Sequence, residues 1–165
     1  MKGEVKMDDR LFRNAMSKFA TGVTVIATET NGNVHGMTAN AFMSVSLDPK
    51  LVVISIGERA NILSKIKDSG IFTVNILADD QKELSMNFAG QLKETKEVSF
   101  ARLNDMPVID GAVAQMACEV SATHVEGDHT LFIGRVKDVY LEEKDPLLFF
   151  NGKYRSMIAV EEPIS

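Results

Sequence analysis

Apolar positions along this chain follow a helical rhythm in a few short stretches and a strand rhythm almost everywhere else. After a polar lead over residues 1–6, Leu11, Phe12, Ala15, Met16 and Phe19 fall on one helical face in the segment that Met7 opens. This predicts a first helix, ended by Gly22. Val23 to Thr30 is β-branched enough to be a strand, and the Asn31-Gly32 pair is a hairpin turn into a second strand from Val34 to Ala39. Asp48-Pro49 is turn chemistry, and the continuous apolar run from Leu51 to Gly57 predicts a strand buried on both faces. Ile62, Leu63 and Ile66 recur at helical spacing before Gly70, and Ile71 to Ala78 returns to strand character. Asp80 and Glu83 then stand in a capping arrangement at the start of a short helix that runs to Phe88 and stops at Gly90.

The stretch from Gln91 to Asp105 is polar and without period, so Lys93, Glu94, Lys96 and Glu97 read as a solvated loop. Between Val113 and Val125 the chain alternates, with Met116, Cys118, Val120 and Ala122 on one face and Glu119, Ser121 and Thr123 on the other. Gly127-Asp128 turns it back into a second long strand from His129 to Glu143, bulged near Gly134. A short strand from Leu147 to Phe150 follows Pro146, and residues 156–165 form a tail. Many strands, three short helices and hairpin connections predict a mainly β domain over residues 7–155 with α additions. The expected form is an antiparallel barrel, closed or nearly closed so that strand edges are covered, with the helices outside it.

Composition narrows the class of function. The 165 residues suit one domain, and 18 basic against 23 acidic residues give a net charge of −5, which argues against nucleic acid or an anionic membrane as partner. The single Cys118 excludes an internal disulfide and a Cys-x-x-Cys site. No apolar run has the length of a membrane span and the N-terminus lacks a signal sequence, so the expected location is the cytoplasm. Glycine-rich nucleotide loops, zincin and serine-hydrolase motifs are absent, and His35, His124 and His129 have no ligand spacing with Cys118.

Four segments remain that could carry chemistry. Residues 36–49 place Thr38, Asn40, Ser44 and Ser46 among small residues between apolar strands, where hydroxyls, an amide and free backbone N–H groups suit a phosphate or a heteroaromatic edge. An ordinary hydroxyl-turn loop explains the same pattern. Residues 55–63 run a strand through Gly57 and Arg59 to a helix start, which would attract an anion. Residues 87–91 put Phe88 before small residues at a helix end, and His129 stands beside a tight turn at the mouth of the barrel.

Taken together, residues 19–28, 36–56, 88–90, 127–136 and 146–154, in this order and spacing, closely resemble the flavin reductase family, whose fold is a Greek-key split β-barrel. The resemblance is closest to the reductase components of two-component aromatic hydroxylases, such as phenol 2-hydroxylase and 4-hydroxyphenylacetate 3-monooxygenase. It implies a homodimer that uses NADH or NADPH to reduce FAD or FMN, with hydride passing from nicotinamide C4 to flavin N5, and that hands reduced flavin to a separate oxygenase. It places the isoalloxazine ring against Met37, Thr38, Ala39, Asn40 and Ala41, and the ribityl and phosphate region against Ser44, Val45 and Ser46. It sets Ser55, Ile56, Gly57, Arg59 and Ala60 along the phosphates and Phe88, Ala89 and Gly90 in the flavin site. His129 falls where the nicotinamide would approach, and Tyr154 closes the pocket. No obligatory catalytic acid or base and no metal are implied. A flavin carrier or sensor, or a ferric-complex reductase on the same fold, would look similar in the binding segments.

Overall fold

The computed structural model describes residues 7–160, so the polar lead over 1–6 and the last five residues lie outside the described residues. Helix α1 (Asp9–Met16) is capped by Asp8, whose carboxylate accepts the Leu11 N–H at 2.7 Å. It is followed by β1 (Thr21–Gly22), β2 (Thr24–Thr30), β3 (Asn33–Ala39), β4 (Phe42–Leu47) and β5 (Lys50–Gly57). Then come α2 (Ile62–Ser69), β6 (Ile71–Ile76), a 3₁₀ turn over Asp79–Gln81 and α3 (Lys82–Phe88). The chain ends in β7 (Ala101–Leu103), β8 (Met106–Val108), β9 (Ala114–Glu126), β10 (His129–Leu141), β11 (Leu148–Phe150) and β12 (Lys153–Arg155).

Seven strands form one antiparallel sheet in the order β3-β2-β6-β9-β10-β5-β4. Its two edge strands, β3 and β4, are consecutive in the chain and joined only by Asn40 and Ala41. In a flat sheet six inter-strand steps of about 4.8 Å would hold them about 29 Å apart, whereas the link spans at most about 11 Å. The sheet must therefore roll until its edges meet at one corner. They meet there without pairing, so the roll is a split barrel with an open seam between β3 and β4, and the expectation of closure is corrected. The β1-β11-β12 sheet and the small β7-β8 hairpin flank it.

Inside the roll Ile26, Val52, Ile54, Ile56, Phe72, Val74, Cys118 and Phe132 pack with Ile62 and Ile66 of α2. Gly134 is required by this packing, since a Cβ there would lie 2.4 Å from Phe72 Cζ, and the β9–β10 register shifts between Ile133 and Gly134, as the expected bulge requires. A second cluster, Val23, Val25, Leu77, Ile109 and Leu147, lies under α3 and the last strands, where Leu84, Phe88, Phe149 and Tyr154 pack against it. Buried Asn75 holds the two sides together: its Nδ2 donates to Val25 O and its Oδ1 accepts the Ile109 N–H at 2.8 Å.

Several local expectations change in this setting. The first helix stops at Met16, and its apolar face stays exposed, with Phe12 at 57% and Phe19, beyond its end, at 73%. Strand β5 is fully buried only through Val52, Ile54 and Ile56, because its other face lines the seam. The Asp80–Glu83 cap does not form; Gln81 Oε1 instead accepts the Ala78 N–H at 3.0 Å, two residues earlier. The end of the expected loop, residues 101–105, belongs instead to the β7–β8 hairpin, which Arg102 ties to Glu29 of β2. The Asn31-Gly32 turn and the Gly70 helix stop adopt the expected positive φ.

Candidate flavin site

The polar, small-residue segment 36–49 is not a loop. It is the end of β3, the two-residue corner, β4 and the turn at Asp48-Pro49, and so it forms both lips of the seam. Among the described residues, strand β3 pairs only with β2, which leaves the N–H and C=O of alternate residues unpaired along its outer edge. At the corner, Ala41 O accepts the Ser55 N–H at 3.1 Å and Thr24 Oγ1 donates to Ala39 O at 2.7 Å, which fixes the exit of β3 against β2 and β5.

Three adjoining hollows follow this edge. A groove of about 630 Å³ has Met37, Phe88, Ala89 and Gly90 in its wall, with the 95–100 loop opposite. Its floor is set by Gly36: a Cβ there would stand 2.6 Å from Phe88 Cε1, so the ring lies directly on the backbone of β3. Through Ala89 this groove adjoins a cleft of about 160 Å³ lined by Thr38, Ala39, Asn40 and Tyr154. Through Asn40 the cleft adjoins a larger, mostly apolar groove of about 780 Å³, where Ala41, Phe42, Met43 and Ser55 face Met16, Phe19 and Thr21. The Oγ1 of Thr21 is buried there and, among the described residues, has no hydrogen-bond partner. Free strand-edge amides, small side chains and an orphaned hydroxyl are a donor and acceptor set that a planar heteroaromatic ligand with polar edges satisfies. The residues present thus fit a flavin.

The other expected residues divide. Arg59 and Ala60 line a further hollow of about 570 Å³ with His35 and Lys65, next to the start of α2. His129 stands opposite Gly57 in the β5–β10 ladder, with its ring against that glycine, and Nδ1 lies 2.8 Å from Asp128 Oδ1. A carboxylate can only accept, so Nδ1 carries a proton and donates it to Asp128. The hydrogen bond from His129, aided by the nearby charges of His129 and Arg59, holds the Asp128 carboxyl below its usual range. Ile56 is wholly buried in the core, which leaves only its main chain for a ligand. Ser44, Val45 and Ser46 sit on β4 around a register shift, outside the three hollows, with Ser44 and Val45 exposed. Sequence reasoning passed over Thr21 and Ser85; a lone hydroxyl carries no periodicity, and only the rolled sheet brings these two to the seam.

A family model described as the flavin reductase like domain matches residues 16–157. An NADH-dependent flavin reductase of Rhodococcus sp is 45% identical over 148 residues, covering 88% of this chain and 84% of that protein. The reductase component of 4-hydroxyphenylacetate 3-monooxygenase from Thermus thermophilus is 39% identical over 148 residues, covering 89% of this chain and 95% of that protein. Among solved structures, the flavin reductase PheA2 in its native state superposes with a TM-score of 0.91 at 63% identity, covering 93% of this chain and all of that one. The chain belongs to the flavin reductase family.

Proposed function

We propose that this protein is an NADH-dependent flavin reductase that supplies reduced flavin to a separate monooxygenase component. The observation that carries the reading is the unpaired outer edge of β3 running past Met37, Phe88 and Asn40 along adjoining hollows, in a chain of this family. Relatives named as an NADH-dependent flavin reductase and as a monooxygenase reductase component support both halves of it. The chemistry, hydride passage from nicotinamide C4 to flavin N5, belongs to the two bound groups. The chain's share is to hold two rings in contact, exclude water and offer N–H donors to charge that develops on the flavin. The strand-edge amides near residues 37–41 are suited to the ring edge, and Arg59 to a phosphate. With Nδ1 donating to Asp128, His129 has Nε2 to hydrogen-bond the nicotinamide carboxamide.

In this reading the described domain is one functional unit that works as a two-fold dimer in the cytoplasm. The exposed apolar face of Leu11, Phe12, Met16 and Phe19 is the surface such a dimer would bury. A single buried Cys118 suits a reducing compartment. Sedimentation showing a monomer at every concentration would refute the dimer. The function is tested by following NADH oxidation at 340 nm without flavin, with FMN and with FAD. Saturable turnover with an added flavin is expected; flavin binding without NADH consumption would establish a carrier.

A further inference from the structure

The cleft between the two grooves contains a pair of hydroxyls whose protons can be counted. Ser85, on α3, is completely buried, and its Oγ lies 2.8 Å from the hydroxyl of Tyr154 on β12. Among the described residues neither oxygen has another hydrogen-bond partner. The pair holds two protons, and one of them occupies the bond between the oxygens. If Tyr154 donated, the Ser85 proton would be stranded in the interior, at a cost of about 1–3 kcal/mol. If Ser85 donates, the remaining proton belongs to Tyr154, which is half-buried and lines the cleft. The second arrangement leaves nothing buried unsatisfied.

The tyrosine ring is held for this task. Phe149 meets it edge-on at 5.3 Å between centroids, and Lys82 Nζ lies 5.6 Å from its centre. Ser85 also anchors the neighbouring wall, since its carbonyl accepts the Thr38 hydroxyl at 2.6 Å. The same residue therefore fixes the flavin-facing end of β3 and the phenol across from it.

We infer that Ser85 is a positioning residue that donates to the Tyr154 oxygen and so aims the Tyr154 O–H into the cleft as a hydrogen-bond donor to an acceptor atom on the flavin ring. This rests on the flavin-site reading above. Tyr154 faces the segment Thr38–Asn40, and the polar edge of an isoalloxazine ring carries carbonyl oxygens and ring nitrogens that accept.

The test compares wild type with Ser85→Ala, Tyr154→Phe and the double variant. Flavin dissociation constants come from quenching of flavin fluorescence, kcat and KM from NADH oxidation, and melting temperatures from circular dichroism. Tyr154→Phe should weaken flavin binding about 3–10-fold, the worth of one neutral hydrogen bond. Ser85→Ala should weaken it by a smaller factor, and the double variant should match Tyr154→Phe alone, because Ser85 acts only through the phenol oxygen. Unchanged flavin binding in Tyr154→Phe would overturn the inference, as would factors that multiply in the double variant or an effect confined to the KM for NADH. Wild type that binds flavin yet consumes no NADH would instead refute the reductase reading and leave the binding comparison intact.

Discussion

Replacing Gly36 by alanine tests whether the groove beside β3 is a working site or an incidental hollow. The new Cβ would lie 2.6 Å from Phe88 Cε1 and 2.7 Å from Cδ1. Ordinary carbon contacts begin near 3.5 Å, so the ring must retreat by about 0.9 Å. Its retreat is opposed by Phe100, whose ring centroid is 6.0 Å away at 56°, and by the cluster around Val23 and Leu77. Overpacking of this kind costs about 1–3 kcal/mol, offset by about 0.5–1 kcal/mol from replacing a glycine inside a strand. The net loss of stability should be at most about 2.5 kcal/mol, read as a lower urea midpoint at unchanged slope. The displaced ring narrows the groove at Met37 and Ala89, so flavin KM should rise at least fivefold while the fold persists. Gly36→Ala combined with Phe88→Leu, which frees the space, should recover part of the stability. A single variant with flavin and NADH KM values within twofold of wild type would refute the placement of the ligand against Phe88.

Three further outcomes follow from other residues. Asn75→Ala removes the partner of the buried Ile109 N–H and of Val25 O, and should cost about 2–4 kcal/mol by urea unfolding; a cost below about 1 kcal/mol would show that water replaces the amide. Burial pushes the Cys118 thiol up to about 12 from 9.0. Its folded pKa is raised, so the stability it contributes is full below pH 9 and is lost as pH rises from about 9 to 12. Melting curves should therefore fall more steeply with pH over that range for wild type than for Cys118→Ala, and a thiol reagent at pH 8 should label the protein only in urea; parallel curves would contradict this. His129→Ala should raise the KM for NADH about 3–10-fold and leave flavin affinity unchanged, as expected for one lost hydrogen bond to the nicotinamide; lower flavin affinity at an unchanged NADH KM would assign the imidazole to the flavin instead.

Much of this protein was determined locally, and for that reason was legible in one dimension. Asn31-Gly32 and Gly70 impose left-handed backbone at their positions whatever surrounds them. From Cys118 to Thr123 the alternation holds, with Cys118, Val120 and Ala122 buried or half-buried and Glu119, Ser121 and Thr123 exposed, a periodicity that backbone geometry enforces. The segments carrying the family resemblance were legible too, because a ligand that reads backbone needs small residues at set spacing along a continuous stretch.

The rolled sheet decided the rest. Its roll follows from strand order, in which β3 and β4 stand at opposite edges yet share a two-residue link, and strand order is set by pairings between residues distant in sequence. That roll turns segment 36–49 from an apparent loop into the lips of a seam, and it leaves only half-buried one face of β5 that its apolar run alone would bury. It also decides where single polar side chains end up. Thr21 lies within the 19–28 segment that carries the family resemblance, yet neither it nor Ser85 stands out by itself, since a hydroxyl without a periodic neighbour has no pattern to break. Only when β12 folds back against α3 does Ser85 meet Tyr154, 69 residues away, and only at the seam does the Thr21 hydroxyl lose water without gaining a partner.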